Sequence, residues 1–294
     1  MVHHVACGAC HFCRAGSATQ CPAFREQRLV PGGFSELLVV RQPAVRAGLF
    51  VLPPHMEDEA ALFLEPLACV LRGLERGGIG SAPAEGNRPV VAILGAGSMG
   101  LLHLLALRAL AGAAPVVVLA EPVAERRALA LRLGADGAAE PGAAVRGEVR
   151  ERSAGRGADV VFDTVGGAAL LAEALALGRP GGTVVLFAHA PAAGDAAGEA
   201  AGFALNAFFK SERRLIATYS SSHDEQQVAW RLLTSGRLDP RPLITHRLPL
   251  ERAGDAVALA AGGAALKILF TPAGRRRAAA VGAVSTASLP GDAT

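Results

Sequence analysis

The strongest constraint on the fold is a glycine-rich turn between an apolar segment and a leucine-rich segment. Residues 90–94 read VVAIL, residues 95–100 read GAGSMG, and residues 101–111 carry leucine and alanine at helical spacing. In a strand–turn–helix of this kind, the first glycine permits the tight turn, the second lets the backbone approach a pyrophosphate, and the third allows close packing. The helix start supplies free N–H groups for the anion. The predicted dinucleotide-binding residues of this turn are Gly95, Gly97, Ser98, Met99 and Gly100.

A carboxylate follows the second predicted strand at the expected place for a cofactor sugar. Glu121 lies 21 residues after Gly100, where an acidic side chain accepts hydrogen bonds from the adenosine ribose hydroxyls. Such a carboxylate repels a 2′-phosphate, so we predict NAD over NADP. Arg126 and Arg127 follow closely enough to accommodate a phosphate if Glu121 turns away, so NADP stays the alternative. Arg126 is included among the predicted cofactor-binding residues.

Short apolar segments alternate with helical segments from residue 89 onward. Strands are predicted at residues 90–94, 116–120, 159–163, 183–187 and 215–219. Helices are predicted at residues 98–111, 123–133 and 168–177. Alternation of this kind predicts an α/β fold with a Rossmann-type, doubly wound parallel sheet. Beyond it, helices are predicted at 224–233 and 250–260 and strands at 243–247 and 267–270. The first sixty residues are predicted to form a small β-rich element, with strand-like pieces at 34–40 and 49–52.

Four cysteines fall within fifteen residues and predict a metal site. Cys7, Cys10, Cys13 and Cys21 have the spacing C-x2-C-x2-C-x7-C. Four thiolates can bind zinc tetrahedrally and fix a loop that has little apolar core, which leaves no coordination position for a substrate. We therefore predict a structural zinc. One alternative is an iron–sulfur cluster, because the first three cysteines resemble a ferredoxin segment. The other alternative is disulfide pairing.

Composition and charge exclude several classes of protein. The chain is 51% hydrophobic and 19% charged, which fits a globular α/β protein. Its 29 basic and 26 acidic residues are dispersed without a basic stripe, so neither nucleic acid nor membrane is expected as a partner. Residues 89–107 lack formal charge but contain three glycines, which fits a turn better than a membrane span. No export signal opens the sequence, so a cytoplasmic location is predicted. Residues 274–294 are predicted to be a disordered tail.

Several motifs together resemble a known family. The four-cysteine lobe, the segment Glu65-Pro66-Leu67 and GAGSMG about thirty residues later resemble the zinc-dependent medium-chain dehydrogenases/reductases, near the sorbitol and threonine dehydrogenase branch. Further matches are GADVV at 157–161, PGG at 180–182, LITH at 243–246, LPL at 248–250 and LKI at 266–268. The resemblance implies a partial GroES-like catalytic domain with the zinc lobe at residues 1–60, an NAD-binding domain at 61–220 and a return to the catalytic domain at 221–273.

The resemblance also implies the chemistry of Glu65. This residue matches the family position that supplies or neighbours the third protein ligand of the catalytic zinc, a metal that polarises an alcohol oxygen and favours hydride transfer to nicotinamide. The alternative is a carboxylate that stabilises a helix N-terminus. The family's upstream Cys and His-Glu ligands have no counterpart in this sequence. We therefore expect a chain that is truncated at its N-terminus and inactive as given.

The expected function is that of a zinc-dependent NAD(H) oxidoreductase acting on a polyol, amino alcohol or related secondary alcohol. NAD and Zn²⁺ are the expected cofactors, and the resemblance implies a homodimer or homotetramer. His189 and residues 164–166 follow predicted strands and are expected near the nicotinamide. The alternative is a non-catalytic NAD-binding protein that retains a structural zinc. A zinc-ribbon nucleic-acid binder is disfavoured, because the cysteine cluster is single and the charge is dispersed.

Overall fold

A six-stranded parallel sheet forms the centre of the computed structural model, which describes residues 1–26, 29–79, 88–111, 115–189 and 204–271. Its strands are β1 (Val90–Leu94), β2 (Val116–Ala120), β3 (Gly137–Ala139), β4 (Ala158–Asp163), β5 (Gly178–Leu186) and β6 (Arg214–Ala217). Their order across the sheet is β3-β2-β1-β4-β5-β6, and every neighbouring pair is parallel. This is the order of a Rossmann sheet, so the predicted fold class is confirmed.

Helices cover both faces of this sheet and fill most of the remaining chain. They are α1 (His11–Arg14), α2 (Pro22–Glu26), α3 (Gln42–Ala47), α4 (Asp58–Ala61), α5 (Leu64–Arg76), α6 (Ser98–Ala111), α7 (Ala124–Arg132), α8 (Ala143–Arg152), α9 (Ala168–Leu177), α10 (Leu205–Ser211), α11 (His223–Thr234) and α12 (Ala253–Ala261). A separate pair of parallel strands, β7 (Ile244–Pro249) and β8 (Lys267–Thr271), follows the main sheet.

Alternating side chains of β1 contribute to two hydrophobic cores. Val91 and Ile93 belong to the core that includes α5, α6 and α11. Val90, Ala92 and Leu94 belong to the core that includes α8 and α9. Because successive side chains of a strand point to opposite faces, a central strand of a two-sided sheet must be apolar throughout. The uninterrupted apolar sequence of β1 thus explains its central position.

Strand β3 and helices α8 and α10 of the sheet region were not predicted from the sequence. Strand β3 has the sequence GAA, and α8 has the sequence AAVRGEVRER. Three small residues give no β-branched signal, and only Val145 and Val149 of α8 are buried, so its apolar stripe is narrow. Strand β5 also begins at Gly178, earlier than expected. The bounds predicted for β1, β2, α6 and α9 are confirmed.

The β-rich interpretation of the first sixty residues is wrong for the described part of this region. Residues 34–40 and 49–52 form no strands there, and the β pairing reduces to an isolated antiparallel bridge between Val30 and Val39. Four short helices, α1 to α4, account for most of the regular structure. Apolar, β-branched sequence is compatible with a strand but does not provide the neighbouring strand that must pair with it.

Other expectations concern the chain ends and the surface. The tail predicted at residues 274–294 lies outside the described residues, and the proposed domain boundaries stay predictions. In the described ranges, no helix combines the length and the apolar character needed to cross a membrane. Residues 89–107, which lack formal charge, instead form β1, the glycine turn and most of α6.

Candidate cofactor and metal sites

The glycine turn joins β1 to α6 at the carboxyl end of the parallel sheet. Gly95 has a φ angle of +94°, which L side chains rarely adopt. A Cβ atom at Gly100 would lie 2.0 Å from the Gly95 carbonyl oxygen, so only glycine fits at that position. A Cβ atom at Gly97 would meet nothing within 4 Å. The turn therefore packs tightly against the protein at Gly95 and Gly100. At Gly97, next to Ser98 and Met99, it leaves open space.

Glu121 connects this turn to the loop after β2. Its side chain is buried, its Oε2 accepts a hydrogen bond from the Ala96 N–H at 2.7 Å, and its Oε1 accepts one from the Val123 N–H at 3.0 Å. Each carboxylate oxygen has a second lone pair, so the group can still accept hydrogen bonds from a ligand. The structure places Glu121 beside the glycine turn, as expected, and adds a bond to the turn that the sequence does not reveal.

The loop after β4 packs against the same turn. The Thr164 hydroxyl donates to the Leu94 carbonyl at 2.7 Å, and a Cβ atom at Gly95 would lie 2.7 Å from Val165 Cγ2. The buried Asp163 carboxylate accepts hydrogen bonds from the Val165 and Gly166 N–H groups at 3.0 and 2.8 Å. The sequence analysis gave Asp163 no role beyond ending a strand. The sequence did contain a signal for this role, since an acidic residue stands at the carboxyl end of a buried strand.

The two arginines after Glu121 are both engaged with backbone carbonyls. Arg126 donates to the Gly263 carbonyl oxygen. Arg127 donates to the carbonyl oxygens of Glu121 and Pro122 at 2.8 and 2.7 Å. These contacts hold the Arg127 guanidinium at the loop and draw that of Arg126 toward the end of α12. The role of Arg126 in cofactor binding stays a prediction.

Two aromatic side chains meet beyond the carboxyl ends of β5 and β6. The His189 and Tyr219 rings lie 5.9 Å apart in an edge-to-face arrangement, and both residues are exposed. Ligands of open α/β sheets bind at this edge of the sheet. The position of His189 is thus compatible with the role predicted for it.

The four cysteines of the N-terminal lobe converge on one point. Their sulfur atoms all lie within 4.8 Å of one another, and the Cys10–Cys13 and Cys7–Cys13 distances are 3.5 and 4.0 Å. Sulfur atoms bound tetrahedrally to zinc at about 2.3 Å are about 3.8 Å apart. All four are free thiols, so disulfide pairing does not occur in the structure. The spacing of these donors fits a zinc ion.

Backbone N–H groups prepare this site for a cation. The Cys10 N–H donates to Cys7 Sγ and the Cys7 N–H donates to Cys21 Sγ, each at 3.4 Å. Hydrogen bonds from the Ala9 and Cys10 N–H groups lower the pKa of the Cys7 thiol to about 6. Burial and a hydrogen bond with Cys10 raise the pKa of the Cys13 thiol, so the surroundings favour the metal-binding thiolate form at Cys7 but not at Cys13. The use of these four residues as zinc ligands stays a prediction.

Glu65 lies in the first turn of α5, next to a thiol and an ammonium group. The Cys69 thiol, one turn further along α5, donates to Glu65 Oε1 at 3.1 Å. Burial raises the pKa of this thiol, and the Glu65 carboxylate raises it further. Lys267 of β8 lies 5.5 Å above the Phe63 ring, and burial lowers its pKa while Glu65 opposes that shift. The sequence analysis noted Lys267 within a motif but did not connect it to Glu65.

Glu65 does not form a metal site with other described residues. Where the structure describes the chain, the four-cysteine cluster is the one group of three or more His, Cys, Asp or Glu residues placed to hold an ion. The residues around Glu65 therefore do not fit a catalytic zinc by themselves. Its predicted roles as a catalytic residue and as a zinc ligand stay predictions that require further ligands.

The fold and these sites define a Rossmann-type chain that carries a separate cysteine centre. A profile of the family "Zinc-binding dehydrogenase" matches residues 98–235. The chain is 31% identical to D-altritol 5-dehydrogenase of Agrobacterium fabrum over 83% of its length and 67% of that protein. It is 30% identical to sorbitol dehydrogenase of Arabidopsis thaliana over 90% of its length and 70% of that protein.

A solved structure agrees with these sequence matches. The alcohol dehydrogenase TADH from Thermus sp. ATN1 superposes with a TM-score of 0.75 and 29% identity, over 92% of this chain and 77% of that one. The chain belongs to the zinc-binding dehydrogenase family, a family of alcohol and polyol dehydrogenases. The resemblance found in the sequence motifs is therefore confirmed.

Proposed function

We propose that the chain binds NAD at the glycine turn and serves in hydride transfer between NAD and a secondary alcohol of the polyol type. The observation that carries this proposal is the open space at Gly97 beside the buried Glu121 carboxylate, at the carboxyl edge of the sheet. Ligands of doubly wound sheets bind at that edge. Polyols are the favoured substrates because two relatives are named for altritol and sorbitol.

Two groups of residues would hold the dinucleotide. The backbone at Gly97, Ser98 and Met99 would face the pyrophosphate, where the first N–H groups of α6 lack partners within the helix. Glu121 would accept hydrogen bonds from the adenosine ribose with its remaining lone pairs. A buried carboxylate repels a 2′-phosphate, which supports NAD over NADP. The engagement of Arg126 with Gly263 supports the same preference.

The nicotinamide end of the bound NAD would lie along the carboxyl edge of the sheet. When bound, NAD supplies a nicotinamide ring that accepts a hydride from the carbinol carbon. The loop at residues 164–166 is fixed by Asp163 and packs on the glycine turn, so it would support the nicotinamide half. His189 and Tyr219 would form part of the surface beyond it.

One zinc ion is proposed for the chain, at Cys7, Cys10, Cys13 and Cys21. Its role is structural, because four sulfur donors complete the coordination of the metal. The described residues do not complete a second site at Glu65, so no step of the reaction is assigned to a metal there. This observation also favours a second candidate function, in which the chain binds NAD without turnover.

Calorimetry on the zinc-loaded chain tests the cofactor site. We expect saturable NAD binding that is tighter than NADP binding. A Gly97→Ala substitution places a methyl group in open space, so the fold should persist while NAD affinity falls at least tenfold, or about 1.4 kcal/mol. Gly147→Ala, an exposed position on α8 with the same open surroundings, is the matched control. Absence of NAD binding by folded protein would overturn the proposal.

Turnover separates the two candidate functions. Sorbitol and NAD are mixed with the chain, NADH is followed by its absorbance, and bound zinc is measured. One zinc per chain with NAD binding and little NADH production supports the non-catalytic candidate for this polypeptide. Rapid NADH production that is lost in Glu65→Gln supports catalysis and a role for Glu65.

A further inference from the structure

Arginine side chains from three parts of the chain line a small cavity at the amino edge of the parallel sheet. The cavity has a volume of about 160 Å³ and lies where β4, β5 and β6 begin. The charged residues in its lining are Arg146 and Arg150 of α8, Arg156 of the loop before β4, and Arg213 just before β6. Among the described residues, no carboxylate lines the cavity. The charged lining is therefore of one sign.

Two of these arginines are exposed to solvent and lack a partner in the part of the chain that the structure describes. Neither the Arg150 nor the Arg156 guanidinium group forms a hydrogen bond or an ion pair there. Arg156 stands between Gly155 and Gly157, whose φ angles are +82° and +98°, in the turn that joins α8 to β4. The Gly157 N–H donates to Ser153 Oγ at 2.9 Å, which fixes this turn. The two guanidinium groups are therefore accessible to a ligand.

The other two arginines are held in place by bonds within the protein. Arg213 donates from Nε and Nη2 to the Gly178 carbonyl oxygen at 3.2 and 2.9 Å. Arg146 Nη1 donates to Glu173 Oε2 at 2.6 Å. A guanidinium group has five N–H donors, so each arginine retains donors beyond these bonds. Donors that are already held in place lose little side-chain entropy when a ligand binds.

The charge around the cavity favours an anion with about two negative charges. The four arginines carry four positive charges, and the Glu173 carboxylate, which is paired with Arg146, neutralises one of them. Helices α8 and α9 end beside the cavity, and each carboxyl end carries roughly half a negative charge. About two positive charges therefore stay uncompensated. A phosphate group carries about −1.5 to −2 near neutral pH and matches them.

The size of the cavity and the geometry of its donors narrow the ligand further. A water molecule occupies about 30 Å³ in the liquid, so the cavity has room for roughly five atoms of that size, the number of heavy atoms in a phosphate group. Arginine binds phosphate oxygens through two parallel N–H groups. Arginines that approach from separate elements suit a tetrahedral group better than a flat carboxylate. A larger ligand can place only its phosphate inside the cavity.

The cavity and the glycine turn lie at opposite edges of the sheet. Gly157 lines the cavity and directly precedes β4, whose six residues span about 17 Å. Asp163 ends β4 and is aligned with Leu94, the residue before the glycine turn. The pyrophosphate of an NAD molecule bound at that turn is therefore too far away to occupy the cavity.

We propose that this cavity binds one phosphate group, either as free inorganic phosphate or as the phosphate of a small phosphomonoester. Arg150 and Arg156 donate to the phosphate oxygens from the exposed side of the cavity. Arg146 and Arg213, which are held by the protein, donate from the other side. This site is independent of the redox function proposed above, and its ligand is recognised by charge rather than by hydroxyl groups.

Calorimetry on the zinc-loaded chain, in a buffer without phosphate, tests the site. Inorganic phosphate, glucose 6-phosphate and glucose are titrated at constant ionic strength. We expect both phosphate ligands to bind saturably and glucose not to bind, and the tighter of the two identifies the source of the phosphate group. Arg150→Gln and Arg156→Gln each remove charge-assisted hydrogen bonds at an exposed position, so the fold should persist while phosphate affinity falls at least about tenfold. Arg132→Gln, exposed in the last turn of α7 and outside the cavity, is the matched control.

Three results would overturn the proposal. Absence of saturation by either phosphate ligand at millimolar concentrations would mean that the arginines are only solvated. Affinity that falls equally in Arg132→Gln would indicate general attraction to a basic surface. Phosphate that is displaced by NAD, or lost in Gly97→Ala but retained in Arg156→Gln, would place the ligand at the glycine turn instead. NAD titration of the same arginine variants tests the redox proposal separately, because these substitutions should leave NAD affinity unchanged.

Discussion

The sheet and the first sixty residues stabilise themselves in different ways. All five side chains of β1 are at most 1% exposed. In the N-terminal region, by contrast, Phe34 is 74% exposed, Leu37 is 86% exposed and Val51 is 90% exposed. Complete burial of a large apolar side chain contributes about 1.5–3 kcal/mol. The sheet therefore has a core of its own, whereas the N-terminal region has little apolar burial of this kind.

We propose that a metal bound by the cysteine cluster compensates for that deficit within residues 1–26. Helices α1 and α2 have four and five residues, too few to be stable alone in water. A metal that joins Cys7, Cys10, Cys13 and Cys21 links both helices to the chain before them. If the cluster binds zinc as proposed, the lobe depends on a ligand for its structure, whereas the sheet is stabilised by its own core.

The largest expected effect is the loss of the lobe when zinc is removed. Structural zinc contributes roughly 10–16 kcal/mol of apparent binding free energy in small zinc domains. Treatment with a strong chelator should therefore abolish hydrogen-exchange protection in residues 1–26 and leave the β1 and β2 amides protected. Cys10→Ser should have the same effect. Cys69→Ser, outside the cluster, is the control and should retain the metal, and unchanged protection of a zinc-free lobe would contradict the prediction.

Truncation of a buried side chain of the sheet should produce the next largest effect. Ile93 is fully buried in the core between β1, α5 and α6. Ile93→Ala should reduce the free energy of unfolding by about 2–5 kcal/mol, because it removes buried methyl groups and leaves a cavity. Leu37→Ala is the control at an exposed apolar position and should change it by at most about 0.5 kcal/mol. Equal losses in urea denaturation would show that both regions share one core.

The same difference explains how much of the structure the sequence predicts. Strands β1 and β2 have the predicted bounds, because burial on both faces requires an unbroken apolar segment. Residues 34–40 have comparable β propensity but no strand beside them, and pairing partners are not encoded locally. Strand β3 was not predicted, because glycine and alanine lack the β-branched or aromatic side chains that indicate a strand.

How much of the candidate sites could be predicted likewise depends on whether their contacts are local in the sequence. The spacing of the cysteines and of the glycines predicts two local clusters, and the structure brings each together. Contacts between distant segments are not readable in this way. The hydrogen bond from the Ala96 N–H to Glu121, the approach of Lys267 to Glu65 and the buried pair of Arg72 and Glu225 all depend on the final packing.

The smallest of these effects concerns a histidine inside the sheet's own core. His103 of α6 is fully buried against the Phe162 and Phe187 rings, its Nδ1 lies 2.8 Å from the Met99 carbonyl oxygen, and its Nε2 has no partner among the described residues. Burial lowers the pKa of His103 from 6.5 to about 4. The unfolded chain therefore binds the proton more tightly than the folded chain between these two values.

Protonation of His103 must then destabilise the sheet, since the unfolded state gains the proton first as the pH falls. Stability from this group is complete above pH 6.5 and declines toward pH 4, by about 3 kcal/mol in total. His103→Leu should flatten that part of the pH dependence of urea unfolding, whereas His55→Leu at the surface should not. Acid also releases metal from thiolates, but that loss is common to all variants, so the difference between the two histidine variants isolates the core. Parallel curves for His103→Leu and the unsubstituted chain would mean that the imidazole reaches water or a proton acceptor in the folded state.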